Sequence, residues 1–389
     1  MDDRLRSTSP TRSTSPTPTA PHAVAPAALH APPGPADAAE LAQAVEDVMA
    51  VTEQVLEGFL TERTARARGV APACGHLWSD LSGQVGGKLV RPRLTVAAYL
   101  GLGGSDPRAV APVAAAQELL HTAMLVHDDL LDHDELRRGR PNVVGATRAR
   151  LSARGFAARV VDEQAHAAGL LAGDVALASA FRLVGRAPVE PSVRVELVEL
   201  LAAGIETAVD GELLDVASAL LDPEDSQPLL VAELKTADYS CRLPLVTGAV
   251  LARVPEARAG LALVGTALGI AFQVADDELG VFGDPQVTGK SVVSDLREGR
   301  RTELLRLAYR DADAAGRAVL DAHVGRPDLD EAGAAAVRAV LVDSGALART
   351  REVAARSARL ARELAVATLP APLAEYLGGV VDDLAGRGR

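Results

Sequence analysis

The chain has 389 residues and a net charge of −12; 48% of it is hydrophobic, 24% charged and only 3% aromatic. That length excludes a disulfide-stapled scaffold, and two cysteines, Cys74 and Cys241, suit a reducing, cytoplasmic setting. The acidic balance excludes nucleic-acid binding as the main function, and no uninterrupted apolar run approaches the ~20 residues that cross a bilayer, so no membrane span is expected.

Residues 1–36 read as a disordered tail. They hold 8 of the 23 prolines, repeat Arg-Ser-Thr-Ser-Pro-Thr from Arg6 and Arg12, and carry no acid between Asp3 and Asp37. No apolar segment follows the start, which excludes a secretory signal, and Asp2-Asp3 with few arginines argues against a transit peptide. From Asp37 the pattern is helical, and 37–389 is expected to be one all-α domain. Apolar residues recur at three- and four-residue spacing over 39–66, 109–133, 166–183, 193–220, 228–252, 258–279, 301–322 and 344–364. Alternating β-type runs are missing, and so is a Gly-rich phosphate loop after a strand.

Arginine outnumbers lysine 37 to 3, so Lys88, Lys235 and Lys290 stand out. Lys88 lies in Gly86-Gly-Lys-Leu-Val-Arg-Pro, Lys235 in Leu234-Lys-Thr-Ala, and Lys290 in Gly289-Lys-Ser. An ammonium is a compact point charge suited to phosphate oxygens.

The strongest signal runs from Gln117 to Pro141. On a helix, His121, Leu125, Asp128 and Asp132 share one stripe, with Asp129 beside them. Carboxylates at i and i+4 repel and are costly to desolvate, and a helix C-terminus disfavours negative charge. A hard divalent cation such as Mg²⁺ removes that cost; pairing with Arg137, Arg138 and Arg140 in a solvated turn is the plainer alternative. Arg137-Arg-Gly-Arg-Pro reads either as a helix stop or as a guanidinium clamp for diphosphate. His127 and His133 lack zinc spacing and read as polar rim. A second apolar helix ends in Asp276 and Asp277, so two acidic clusters can face each other across a cavity and hold Mg²⁺ between them.

Taken in order, these motifs resemble the trans-prenyl diphosphate synthase (polyprenyl synthetase) family over residues 80–305, and most resemble its bacterial geranylgeranyl-forming members. They are Gly-Gly-Lys-x-x-Arg-Pro, Asp-Asp-x-x-Asp with Arg-Arg-Gly-Arg-Pro, Lys-Thr-Ala and Phe-Gln-x-x-Asp-Asp. The resemblance implies an α-helical fold around a central cavity. It also implies a homodimer and a Mg²⁺-dependent condensation of isopentenyl diphosphate with an allylic diphosphate. Carried over by position, Lys88, Arg91, His121 and Arg138 match the isopentenyl diphosphate site. Asp128, Asp129 and Asp132 match one metal motif, and Asp276 and Asp277 the other. Arg137, Lys235, Thr236, Gln273, Lys290 and Arg300 match the allylic diphosphate contacts.

Three departures stand out. Gly280 replaces a frequent third Asp, Arg300 a usual Lys, and Glu212 in Gly211-Glu-Leu-Leu-Asp a common Gln. In the family, side chains just before the first aspartates act as a floor for the growing chain. Here these are Leu120, Ala123 and Met124, none aromatic, which implies a twenty-carbon product, with farnesyl or longer polyprenyl products as alternatives. A class I terpene cyclase is disfavoured because its Asn/Asp–Ser/Thr–Glu motif is missing. A non-catalytic synthase subunit is disfavoured because both acidic motifs are retained.

Overall fold

The structure, a computed structural model, describes residues 34–283 and 293–385. The expected tail therefore lies, up to residue 33, outside the described residues, and so does Lys290.

Asp37 sets where the first helix begins. Its backbone is extended and its carboxylate accepts the amide hydrogens of Ala39 and Glu40, which starts α1 (Ala38–Arg68). Pro72 at the first position of α2 (Pro72–Ser82) needs no N–H partner. A turn through Gly86 and Gly87, both at positive φ, leads to α3 (Val90–Gly101). Asp106 caps α4 (Pro107–Leu131). Then come α5 (Val143–Ser152), α6 (Ala158–Arg186) and α7 (Pro191–Ser218). One rod follows in three parts: α8 (Pro228–Val231), a π-helical segment (Ala232–Arg242) and α9 (Leu243–Ala252). It leads to α10 (Arg258–Phe282).

A short α11 (Ser294–Glu298) precedes α12 (Glu303–Asp311), α13 (Ala314–His323), α14 (Glu331–Asp343), α15 (Ala346–Thr368) and α16 (Ala371–Ala385). The helix expected over 301–322 is thus two helices. Ala312 is extended, and Asp313 accepts the Gly316 amide hydrogen to begin a new one.

α4 packs on α6 and α3, while α10 packs on α15 and on the π segment, so α4, α6, α7, the π segment and α10 ring a cavity. Leu94, Leu119, Leu243, Leu245 and Leu261 are fully buried around it. A second apolar cluster, including Leu304, Leu320, Val337 and Leu341, packs under Val281 and Leu296 at the end of α10.

The π segment is wider than an α-helix, and its neighbours carry glycine where it comes closest. A Cβ on Gly211 of α7 would stand 2.2 Å from the Lys235 nitrogen, and one on Gly269 of α10 would stand 2.4 Å from the Ala237 Cα. Such segments are rare and gather at functional sites.

One expectation is corrected. Helices Pro107–Leu131, Ala158–Arg186 and the stretch Pro255–Phe282 are each long and apolar enough to cross a membrane, by length and composition. Their scattered polar residues interrupt the apolar runs without lowering the average. In the most apolar window of α4, 72% of the residues are buried inside the fold.

Candidate active site

Both acidic motifs reach one cavity of about 660 Å³, Asp128 near the end of α4 and Asp276 and Asp277 within α10, which runs on to Phe282 and does not end at them as expected. Its wall includes Arg91, His121, Met124, Asp128 and Arg137 from one side, with Lys235, Thr236 and Tyr239 from the π segment. Phe272, Gln273, Asp276 and Asp277 of α10 complete it with Arg300. Sequence positions more than 140 residues apart therefore meet at one site.

Lys235 is the electrostatic centre. Its Nζ lies 3.2 Å from Asp128 Oδ1, 2.9 Å from Glu212 Oε2 and 2.7 Å from Asp215 Oδ2. Burial works against its charge, yet the three carboxylates outweigh that and hold the ammonium protonated well beyond its usual range. Burial likewise opposes ionisation of Asp128, but Lys235, Arg300 and Arg137 keep its carboxyl below the ordinary value. Asp132, the C-cap of α4, is pushed up to about 6 by burial and the charge of Asp128, against its ion pair with Arg300. Asp277 rises to about 7, chiefly through burial, although the Gln273 amide donates to it at 2.7 Å.

Asp129 behaves differently from its neighbours. It is 3% exposed and does not line the cavity; Arg137 Nε donates to it at 2.8 Å, and Asn142 also bonds to it. One residue along a helix turns the side chain by about 100°, and here that turn carries Asp129 towards Arg137 and Asn142. Asp129 is thus paired with Arg137 while Asp128 faces the cavity.

Arg137-Arg-Gly-Arg-Pro is neither a plain helix stop nor a free clamp. Strands β1 (Leu136–Arg137) and β2 (Arg140–Pro141) pair antiparallel around Arg138 and Gly139, both at positive φ as a two-residue hairpin requires. The hairpin sends Arg137 to Asp129 and Asp128, and Arg138 to the Gly86 carbonyl at 2.6 Å. Asn142, the only asparagine, fastens it: its amide donates to the Asp134 carbonyl and its Oδ1 accepts the Gly145 amide hydrogen.

The isopentenyl diphosphate residues gather in part. Arg91 stacks over the Tyr239 ring at 5.1 Å and donates to Ser240 at 2.7 Å. His121 lies 3.4 Å from the Tyr239 hydroxyl, and its imidazole is held neutral by burial and by Arg91, Arg138 and Arg137. Lys88 is exposed and lies outside the cavity wall. Of the chain-length residues, only Met124 faces the cavity. Ala123 is fully buried in a cluster with Leu81, Val126, Ala172 and Ala176, and Leu120 is fully buried as well. Of the three positions, Met124, one residue beyond Ala123 along α4, is the one on the cavity wall.

Sequence reasoning missed Tyr239, whose approach to Arg91 and His121 depends on the π segment. It also missed the partnership of Glu212 and Asp215 with Lys235, although two acids three apart on apolar α7 were a signal. Gly280 has a structural counterpart: a Cβ there would stand 1.9 Å from Asp295 Oδ2, so the Asp295 carboxylate occupies that space.

The acidic side chains on the wall, Asp128, Glu212, Asp215, Asp276 and Asp277, offer oxygen atoms, the donors a hard divalent cation prefers. Among the described residues no three His, Cys, Asp or Glu side chains are drawn together as a metal cage. The carboxylates are bridged by Lys235, Arg137 and Arg300 instead.

The Polyprenyl synthetase family model matches residues 79–341. A geranylfarnesyl diphosphate synthase from Aeropyrum pernix is 34% identical over 68% of this chain and 78% of its own length. A (2E,6E)-farnesyl diphosphate synthase from Mycobacterium tuberculosis is 35% identical over 62% of this chain and 64% of its own. In fold, a geranylgeranyl pyrophosphate synthase from Corynebacterium glutamicum, crystallised with isoprenyl diphosphate and magnesium, superposes with a TM-score of 0.81. That match has 27% identity and covers 88% of this chain and 99% of the other.

Proposed function

The chain belongs to the polyprenyl synthetase family, and on that footing we propose a Mg²⁺-dependent, head-to-tail condensation of isopentenyl diphosphate with allylic diphosphates, carried to geranylgeranyl diphosphate. The observation that carries this reading is the convergence of Asp128, Asp276 and Asp277 on one cavity with Lys235, Arg137 and Arg300. Asp128, Asp132, Asp276 and Asp277 would hold magnesium, which would supply neutralising charge for a departing diphosphate. Lys235, Arg137 and Gln273 bind and orient that diphosphate, with Thr236 beside them; Lys290 is assigned the same role on sequence alone. Arg91 and the neutral His121, with Lys88 and Arg138, anchor isopentenyl diphosphate so that its alkene meets the allylic C1. Leu125, Leu177, Ile205 and Phe272 supply wall that keeps water from the cation.

A twenty-carbon product is supported by Met124, which leaves the upper cavity without an aromatic floor. A homodimer is supported by apolar side chains exposed on α6 and α7, Leu170, Leu171, Val209 and Leu213, and by Leu220 just beyond α7. We assign it to the cytoplasm on its two unpaired cysteines.

The test is incubation of the purified chain with labelled isopentenyl diphosphate, Mg²⁺ and five-, ten- or fifteen-carbon primers, followed by separation of products by length. A twenty-carbon product from each primer is the expected result. Release of the fifteen-carbon product overturns the chain length, and no condensation with any primer overturns the reaction.

A further inference from the structure

Glu118 has no part in the mechanism above, yet it is a carboxylic acid 2% exposed in the middle of α4, one turn before His121. Its Oε1 accepts the amide hydrogen of Gly86 at 3.4 Å. The carbonyl of the same residue accepts from Arg138 Nη1 at 2.6 Å. Both backbone groups of Gly86 are thus engaged, one by the core and one by the hairpin. The next residue completes the arrangement: a Cβ on Gly87 would stand 2.9–3.1 Å from the Arg138 guanidinium atoms, so the glycine leaves room for the arginine to lie close over the turn. Gly86 and Gly87 have positive φ, which glycine adopts freely, and Leu89 has it too, a conformation that a residue with a side chain keeps only where surrounding groups enforce it.

We propose that Glu118 is a positioning residue of the isopentenyl diphosphate subsite. Its carboxyl anchors the Gly86–Gly87 turn to α4 and so fixes Arg138 and the backbone that carries Lys88. The subsite itself rests on the reaction assigned above. Burial pushes the carboxyl up to about 7 against the charges of Arg91 and Arg138, so the anchor works through an acceptor oxygen and not through a permanent charge. A glutamine amide oxygen serves the same purpose.

The experiment compares the full-length wild type with Glu118→Ala and Glu118→Gln by three readouts. These are KM for each diphosphate with kcat, calorimetric binding of isopentenyl diphosphate alone, and amide hydrogen exchange over residues 86–89. Losing a hydrogen bond to a buried ionisable group corresponds to about a ten- to hundredfold rise in the isopentenyl diphosphate KM and Kd for Glu118→Ala, with the allylic KM within about twofold. Exchange of the turn quickens by about tenfold or more in the same variant. Glu118→Gln stays near wild type in all three. If truncation unfolds the chain, Glu118→Met keeps the volume, removes the acceptor and carries the same expectation.

An unchanged isopentenyl diphosphate KM, or an equal rise for both substrates, overturns the proposal. So does a Glu118→Gln variant as defective as Glu118→Ala. If the wild type binds neither diphosphate, the assigned reaction fails, and exchange of the turn alone then decides the role of Glu118.

Discussion

At the residue scale, Lys235 shows how one charge organises several others. Replacing it with Ala leaves Asp128, Glu212 and Asp215 facing one another without their shared cation. Removal of one preorganised charge typically lowers turnover by about 10²–10³-fold, and that loss in kcat is expected for Lys235→Ala by steady-state assay. Lys235→Arg is expected to recover only part of it, because a planar fork cannot sit among three carboxylates as a point charge does. Chain length is a second matter for single residues. Met124→Phe is expected to shift the product from twenty towards fifteen carbons by product chromatography. Ala123→Phe instead overfills the cluster around Leu81 and Ala176, lowering stability by about 1–3 kcal/mol in denaturant melts.

The buried carboxyl of Glu118 gives a pH signature of defined sign. Its folded value, near 7, lies above the unfolded one, so its contribution is fully present below about pH 4.3 and is lost as pH rises through 7. His121 works in the opposite sense, since its lowered value makes the fold lose stability as pH falls below about 6.5. The wild-type stability minus that of Glu118→Gln cancels the histidine. It is expected to fall by about 2–3 kcal/mol between pH 4 and 8, followed by urea unfolding of the metal-free protein.

At the scale of elements, most of the long helices were legible because their apolar faces repeat every three or four residues. Shorter ones were not: α2, α3, α5, α14 and α16 take their boundaries from proline or Asx caps and from packing more than from a clear stripe. The π segment was invisible for a physical reason. Its residues keep an apolar spacing compatible with an α-helix, and its extra width is specified by glycines on other elements. Gly269→Ala puts a methyl group 2.4 Å from the Ala237 Cα, so backbone must move. Destabilisation of about 1–3 kcal/mol is expected in denaturant melts, together with reduced kcat as the turn bearing Lys235 and Tyr239 shifts. The candidate site divides in the same way. Asp128, Lys235 and Asp276 were readable as types of residue in a fixed order. The inward turn of Asp129 towards Arg137, and the approach of Asp295 to Gly280, depend on three-dimensional placement that no spacing encodes.

At the scale of the whole molecule, the acidic cavity already carries its own cations. Among the described residues, Lys235, Arg137 and Arg300 bridge carboxylates from α4, α7 and α11. These ion pairs tie the elements together through the protein's own charges. Treatment with a chelator is expected to abolish condensation while moving the Tm by less than about 2 °C in calorimetry, within the shift that a fraction of a kcal/mol produces in a large domain. A fall of ten degrees or more would mean that metal is part of the scaffold.

The ammonium of Lys235 thus makes the cavity a miniature ion exchanger whose resident counter-ion is tethered by a covalent stem. A divalent ion arriving alone must displace that tethered cation and leave it stranded near positive charge, an exchange with little to drive it. An ion arriving with a diphosphate brings the displaced ammonium a new anion. On the proposed reaction, metal and allylic substrate would therefore load as one coupled event, each raising the affinity of the other by the same factor.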